Sequence, residues 1–187
     1  MLTAFTACRY LHPFQKYLRS KLKVDRSVLV KAYIAYVRPI LEYGSVVWSP
    51  YKTGDISCIE QVQWSFTKRL PGLKNAAYRD RLAVTNLETL EFRRLYADLV
   101  MCYKIVFRLI NVDFHTFFRL APSNNTRGHR YKLFVEQSTH NPYYFFSRRV
   151  VNVWNHSPFD TDFSSLARFK AALKRTDLSK FLTYCTD

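Results

Sequence analysis

The sequence predicts a mainly α-helical fold with one short extended arm or hairpin near residues 128–136, and three observations carry that prediction. Only 4 Gly and 7 Pro interrupt 187 residues, too few for a many-stranded sandwich. Apolar residues make up 48% and charged residues 23%, a globular rather than a disordered composition. Apolar side chains recur at helical spacing along most of the chain, and they alternate only around residues 129–135. The length suits one ordinary core or two small helical subdomains. One structural unit is expected, read as a basic lead-in over 1–26, a helical region over 27–110 and a C-terminal helical region with the arm over 111–187.

Residues 1–26 carry Arg9, Lys16, Arg19, Lys21, Lys23 and Arg26 among aromatic residues and read as a helix-rich lead-in. From Ser27 to Val37 nearly every residue is apolar. Ser27, Lys31, Arg38 and Glu42 fall on one narrow stripe at helical spacing, so a helix buried on most sides is expected. Pro39 either kinks that helix or opens a second short one. Thr53 and Asp55 offer a cap for a helix running to about Leu70, where Pro71-Gly72 stops it. Ile59, Val62, Phe66 and Leu70 form its inner face, while Gln61, Trp64 and Lys68 share the other side.

Asn86 is positioned to cap a long helix from about Glu88 to Ile110, the expected central pillar. Residues 111–127 read as a loop anchored by Phe114, Phe117 and Phe118 and closed by the polar turn Ser123-Asn124-Asn125-Thr126. His129, Tyr131, Leu133 and Val135 then alternate with Arg130, Lys132 and Phe134, the pattern of a strand or extended arm. After Pro142 a helix is expected from about Tyr143 to Trp154, with Phe146, Val150 and Val153 inward, ended by Pro158. The last helix, about Ser164 to Lys174, has a Ser cap and the inward set Leu166, Phe169 and Leu173. Lys174 and Arg175 sit at its negative end.

The formal charge is +15, from 29 Lys and Arg against 14 Asp and Glu. An excess of this size points to a polyanionic partner, nucleic acid before anionic membrane. It is uneven: residues 1–50 hold eight basic and two acidic side chains, and residues 157–187 hold five and four. Aromatic residues reach 17%, more than a core of this size needs, so some rings are expected to stack on a partner. Cys8, Cys58, Cys102 and Cys185 lie far apart without a C-x-x-C pair, which excludes a zinc knuckle or redox dithiol and suggests free thiols in a reducing compartment. No membrane-spanning run and no signal-peptide pattern is present, and Met1 is compatible with an internal methionine of a longer frame.

The candidate nucleic-acid contacts follow from where cations gather. Arg93, Lys104 and Arg108 form a basic stripe open to phosphate, while Arg94 and Asp98, four apart, are expected to pair on the helix surface. Arg127, Gly128 and His129 with Arg130 and Lys132 place cations beside a glycine turn whose amides can face phosphate. Arg148, sharing a face with Asn152 and Asn155, reaches outward, and Trp154-Asn155 reads as core plus cap. Tyr43 and Trp48 read as packing anchors. Trp64, on the polar side of its helix with Lys68, has the better claim to stack on a base.

The run Arg38-Pro39-Ile40-Leu41-Glu42-Tyr43-Gly44-Ser45-Val46-Val47-Trp48-Ser49-Pro50 is followed in order by Ile59-Glu60-Gln61-Val62-Gln63, Tyr78-Arg79-Asp80-Arg81-Leu82 and Leu90-Glu91-Phe92-Arg93-Arg94 with Asp98-Leu99. Next come Tyr103-Lys104-Ile105, Arg127-Gly128-His129, Arg148-Arg149-Val150-Val151-Asn152 and Trp154-Asn155. This series resembles the thumb and downstream region of non-LTR (LINE-type) retrotransposon reverse transcriptases. One departure is the turn Trp154-Asn155-His156-Ser157-Pro158, where the family commonly has Leu before Pro.

The resemblance implies a helical thumb-like bundle that grips an RNA–DNA template–primer duplex without sequence preference, beside a polymerase palm that this chain lacks. The parent family copies RNA into DNA with Mg²⁺ held on a palm Asp-Asp turn. This chain has no Asp-Asp pair, and Asp160 and Asp162 read as a surface turn, so it is expected to be non-catalytic alone and to carry no cofactor. A nuclear or cytoplasmic setting and no membrane partner are implied. The alternative is a transposon remnant without function, or a helical protein-interaction module.

Overall fold

Helices supply nearly all the regular structure, and among the described residues the extended arm makes a single isolated antiparallel bridge, Leu120 to Leu133, with no strand. The computed structural model describes residues 25–121, 129–135, 145–158 and 160–183. The mainly helical class read from the sequence is therefore the class observed. The chain forms two compact units, where one structural unit is expected from the sequence. The first contains the described residues of Met1–Tyr43 and Lys52–Arg93, and the second those of Gly44–Tyr51 and Arg94–Thr183.

In the first unit, α1 (Arg26–Ala32) runs through a π turn (Tyr33–Val37) into α2 (Arg38–Glu42). Pro39 sits in the first turn of α2, where its missing N–H is least costly, so it opens a helix rather than breaking one. Only Tyr33, Val37 and Leu41, spaced by four, are buried along this stretch, whereas Val28 and Tyr36 are exposed. The expected burial on most sides is thus corrected to one narrow face, because apolar composition does not say how many sides find a partner. Tyr33 stacks on Phe66 with centroids 4.3 Å apart.

Helix α3 (Thr53–Lys68) buries Ile59, Val62 and Phe66 as its periodicity requires, and Leu70 just beyond it. Its N-cap is Lys52, with no side-chain cap, so Thr53 and Asp55 stand in the first turn, where Asp55 suits the helix dipole instead of capping. Helix α4 (Tyr78–Thr85) ends at Asn86, whose left-handed backbone (φ 52°) lets the Leu87 N–H return to the Leu82 carbonyl at 3.0 Å. Asn86 therefore closes one helix rather than opening the next.

Helix α5 (Leu90–Val106) begins in the first unit and gives the second unit its buried Leu99, Cys102, Tyr103 and Ile105. It stops four residues short of the expected Ile110. Arg108 takes a left-handed conformation (φ 53°), and the Leu109 N–H bonds back to the Lys104 carbonyl at 2.8 Å. Helix α6 (Phe114–Phe117) is one turn capped by Asp113, and α7 (Phe146–Asn155) and α8 (Leu166–Arg175) follow. Phe146, Val150, Val153, Phe169 and Leu173 are buried as expected, and Ser165 caps α8 by accepting the Arg168 N–H at 3.2 Å. A 3₁₀ turn (Ser179–Phe181) ends the described chain.

Part of the aromatic content packs here, while Tyr36, Tyr43, Tyr51, Phe117, Phe134 and Phe145 are exposed. Tyr103 stacks on Phe169 at 4.7 Å, Trp154 lies 5.5 Å from Phe169, and Phe163 lies 5.4 Å from Phe169 and 4.9 Å from His129. Such ring clusters supply large apolar area in specific orientations. Cys58 and Cys102 are free thiols, whereas Cys8 and Cys185 lie outside the described residues. No helix among the described residues is long and apolar enough to cross a membrane.

Candidate nucleic-acid interface

In the first unit, α3 carries three polar side chains that its apolar neighbours bury completely, Glu60, Gln63 and Thr67. The Glu60 carboxylate accepts the Leu90 N–H at 2.9 Å, the Glu91 N–H at 3.3 Å and the Tyr78 hydroxyl at 2.5 Å. It thereby caps the N-terminus of α5 from another helix, placing negative charge at the positive end of the dipole. Burial nonetheless pushes its carboxyl above the usual range, against the pull of those donors. Gln63 accepts the Tyr33 hydroxyl at 3.1 Å and donates to the Glu88 carbonyl at 2.9 Å and the Tyr78 oxygen at 3.1 Å. The Ile59–Gln63 run is therefore structural glue for this unit.

Trp64 faces outward from the same helix and is half-buried. Two cations lie over its indole: the Lys68 ammonium 4.4 Å from the ring centroid and the Arg81 guanidinium at 4.9 Å. The ring expected to stack on a base thus already engages two protein cations. Arg93, by contrast, is corrected. Its guanidinium is held by Glu42 and, at 3.4 Å, by Glu88, so it is an internal tie and not an open phosphate contact. Tyr43, expected as an anchor, is 80% exposed.

In the second unit, Arg149 is the organising cation. Its Nε and Nη2 donate to the Asp98 carboxylate at 2.6 and 2.9 Å, and Nη2 also donates to the carbonyls of Ser45 and Val46 at 3.2 and 2.6 Å. Beside the expected partner Arg94, which acts on Asp98 electrostatically, this contact from α7 holds the Asp98 carboxylate directly. Arg94 is buried and lies over the Trp48 ring at 5.0 Å, so Trp48 is the packing anchor the sequence suggested. Burial holds the Asp98 carboxyl above its ordinary range even with both arginines lowering it.

The arm is knitted to α7 by its alternating residues. His129 donates from Nε2 to the Trp154 carbonyl at 2.9 Å and accepts the Tyr131 N–H on Nδ1 at 3.2 Å, an arrangement that requires the neutral ring. Burial lowers the His129 pKa to match. Asn155, expected as a cap, instead pairs its carboxamide with both the N–H and the carbonyl of Leu133, at 2.8 and 2.7 Å. Trp154 donates its indole N–H to the Tyr131 carbonyl at 2.7 Å. Arg130 is left exposed, 4.8 Å over the Tyr131 ring, and Lys132 is half-buried. Val135, expected on one face with His129, Tyr131 and Leu133, is 48% exposed.

Of the remaining predicted contacts, Lys68 and Arg108 are exposed, Lys104 and Arg148 are half-buried, and Arg127 and Gly128 lie outside the described residues. The polar turn 123–126 and Pro142 also fall outside them. Asp162 accepts the Ser164 N–H at 2.9 Å and pairs with Arg168 at 3.2 Å on the surface. No group of three or more His, Cys, Asp or Glu among the described residues could hold a metal ion. A cleft of about 760 Å³ beside α8 balances Asp160, Asp162 and Asp177 against Arg168, Arg175 and Lys180, and so offers a polyanion no net attraction.

An uncharacterized protein of Caenorhabditis elegans, B0403.1, is 30% identical to this chain over 107 residues. The match covers 56% of this chain and 51% of that protein, so the matched region spans about half the length of each. No family model matches the chain, and no solved structure matches it.

Proposed function

We propose that the chain is the thumb and downstream region of a LINE-type reverse transcriptase, and that it holds an RNA–DNA template–primer duplex through backbone phosphates while a separate palm performs the chemistry. The motif series from Arg38 to Asn155 supports the family assignment, and one observation carries the gripping role. Most of the named acids are engaged by partners within the protein, and many cations are not. Glu42 and Glu88 hold Arg93, Asp98 holds Arg149, Glu60 is buried, and Asp113, Asp162 and Asp177 accept backbone N–H groups. Lys52, Lys68, Lys74 and Arg79 in the first unit, and Arg108, Arg119, Arg130, Lys174 and Arg175 in the second, are exposed and form no ion pair among the described residues. Such a surface favours a polyphosphate strand by counterion release, without reading bases.

The test is binding of the chain to a fluorescent RNA–DNA duplex across a salt series. Affinity is expected to fall steeply with salt. Arg130→Ala with Lys132→Ala is expected to reduce the log–log slope by about 2, at near 0.9 for each phosphate that is no longer neutralised. A flat salt response would reject the phosphate grip and favour a protein-interaction module.

A further inference from the structure

The Trp64 indole bears two cations and neither has a carboxylate. Arg81 is 2% exposed. It donates Nη1 to the Trp64 carbonyl at 3.2 Å and lies 5.3 Å from the Tyr78 ring centroid, while its buried Nε has no hydrogen-bond partner. Lys68, over the same indole, is exposed. Neither forms an ion pair among the described residues, because Glu42 and Glu88 hold Arg93 and Glu60 caps α5. Two like charges sharing one ring repel each other, and a carboxylate ordinarily relieves that repulsion. Among the described residues no carboxylate does so, which leaves the role open to an anion from outside.

The local sequence extends the same field. From Gln61 to Arg79 the chain has no acidic residue, and Lys68, Lys74 and Arg79 are exposed along it. The first acid beyond is Asp80, exposed on α4. Pro71 and Gly72, the latter with φ +78°, make the tight turn that brings the chain out of α3 toward α4. Contact with the indole restrains the Lys68 ammonium, so less side-chain freedom is lost when it meets a phosphate.

We propose that Trp64, Lys68, Lys74 and Arg79 form a docking surface for the sugar–phosphate backbone of a nucleic acid, with the buried Arg81 as a fixed source of positive potential. This rests on the duplex-gripping reading and assigns it a surface in the first unit, with residues beyond the arm. The surface takes phosphates and not stacked bases, since Lys68 and Arg81 already use the indole.

The full chain is titrated with a fluorescent RNA–DNA duplex across a salt series, beside the variant Lys68→Ala/Lys74→Ala/Arg79→Ala. All three side chains are exposed, and unchanged circular dichroism confirms the fold. The triple variant is expected to lose about 2 to 3 units of log–log salt slope and roughly tenfold or more in affinity. Trp64→Phe is expected to remove the tryptophan emission change that accompanies duplex binding. If the unaltered chain binds with a steep salt slope and the triple variant matches it, this surface is not the docking site, while the duplex reading stands. If the unaltered chain does not bind the duplex, both fail. Equal triple-variant losses on phosphatidylserine vesicles, with no binding of the duplex, would assign the surface to membrane and overturn the proposal.

Discussion

Replacing Arg149 by Met removes the guanidinium that ties α5, α7 and the Ser45–Val46 backbone together within the second unit. Met fills much of the volume but leaves the Asp98 carboxylate, whose side chain is 3% exposed, without its ion-pair partner. The carbonyls of Ser45 and Val46 lose their donor at the same time. Breaking a buried pair from one side costs about 3 to 5 kcal/mol. The lower end is expected, because burial already raises the Asp98 carboxyl and it can take up a proton once unpaired. With a urea dependence of about 1 to 3 kcal/mol per molar, the unfolding midpoint should fall by roughly 1 to 3 M.

The sign of the pH dependence follows from the same group. A carboxyl whose folded pKa is raised favours the fold below its unfolded value, and that contribution is lost as pH rises through the folded value. Removing Arg149 raises the folded value further, so Arg149→Met should be most damaging near neutral pH and should recover toward acid. Asp98→Asn combined with Arg149→Met should restore at least about 1 kcal/mol relative to the sum of the single variants. Urea unfolding followed by circular dichroism measures all three proteins. A single-variant loss under about 1 kcal/mol at neutral pH, or strict additivity, would refute the role given to this ion pair.

Glu60→Gln should cost about 1 to 3 kcal/mol at neutral pH, because an amide that keeps its oxygen on the N–H groups of Leu90 and Glu91 turns its NH2 toward the Tyr78 hydroxyl, which loses its acceptor. That deficit should widen as pH falls, since burial raises the folded Glu60 carboxyl and proton uptake then stabilises the parent protein in a way the amide cannot match; denaturation at two pH values checks both statements. His129 has a lowered folded pKa, so its contribution is present above the free-histidine value of about 6.5 and is lost as pH falls through the folded value. His129→Gln can still donate to the Trp154 carbonyl and accept from Tyr131, and should flatten that part of the thermal-stability profile. An unchanged profile would remove His129 from the account.

Local pattern carried much of the architecture. Ile59, Val62 and Phe66 repeat at helical spacing and are buried, as are Phe146, Val150 and Val153, and Phe169 with Leu173. Ser165 precedes an amphipathic run and caps it. His129, Tyr131 and Leu133 alternate, and the arm packs by that face. These relations span one to four residues, so backbone geometry alone sets them. The same local logic misassigned Asn86, because a residue that tolerates the left-handed region suits a helix end as well as a helix start.

The amino-acid sequence by itself determined the helical class, the net charge of +15 and the apolar faces, because those depend on composition and on neighbours a few residues apart. Tertiary structure alone decided which polar groups meet. Glu60 reaches the start of α5 across 30 residues, and Asp98 takes Arg149 across 51 residues. A buried charge settles on whichever partner packing brings within hydrogen-bond reach, and no periodicity encodes that distance. Those pairings hold Arg93 and Arg149 inside the fold and leave Lys68, Lys74, Arg79 and Arg130 exposed. The chain's formula set the number of cations, and folding selected the ones that face outward.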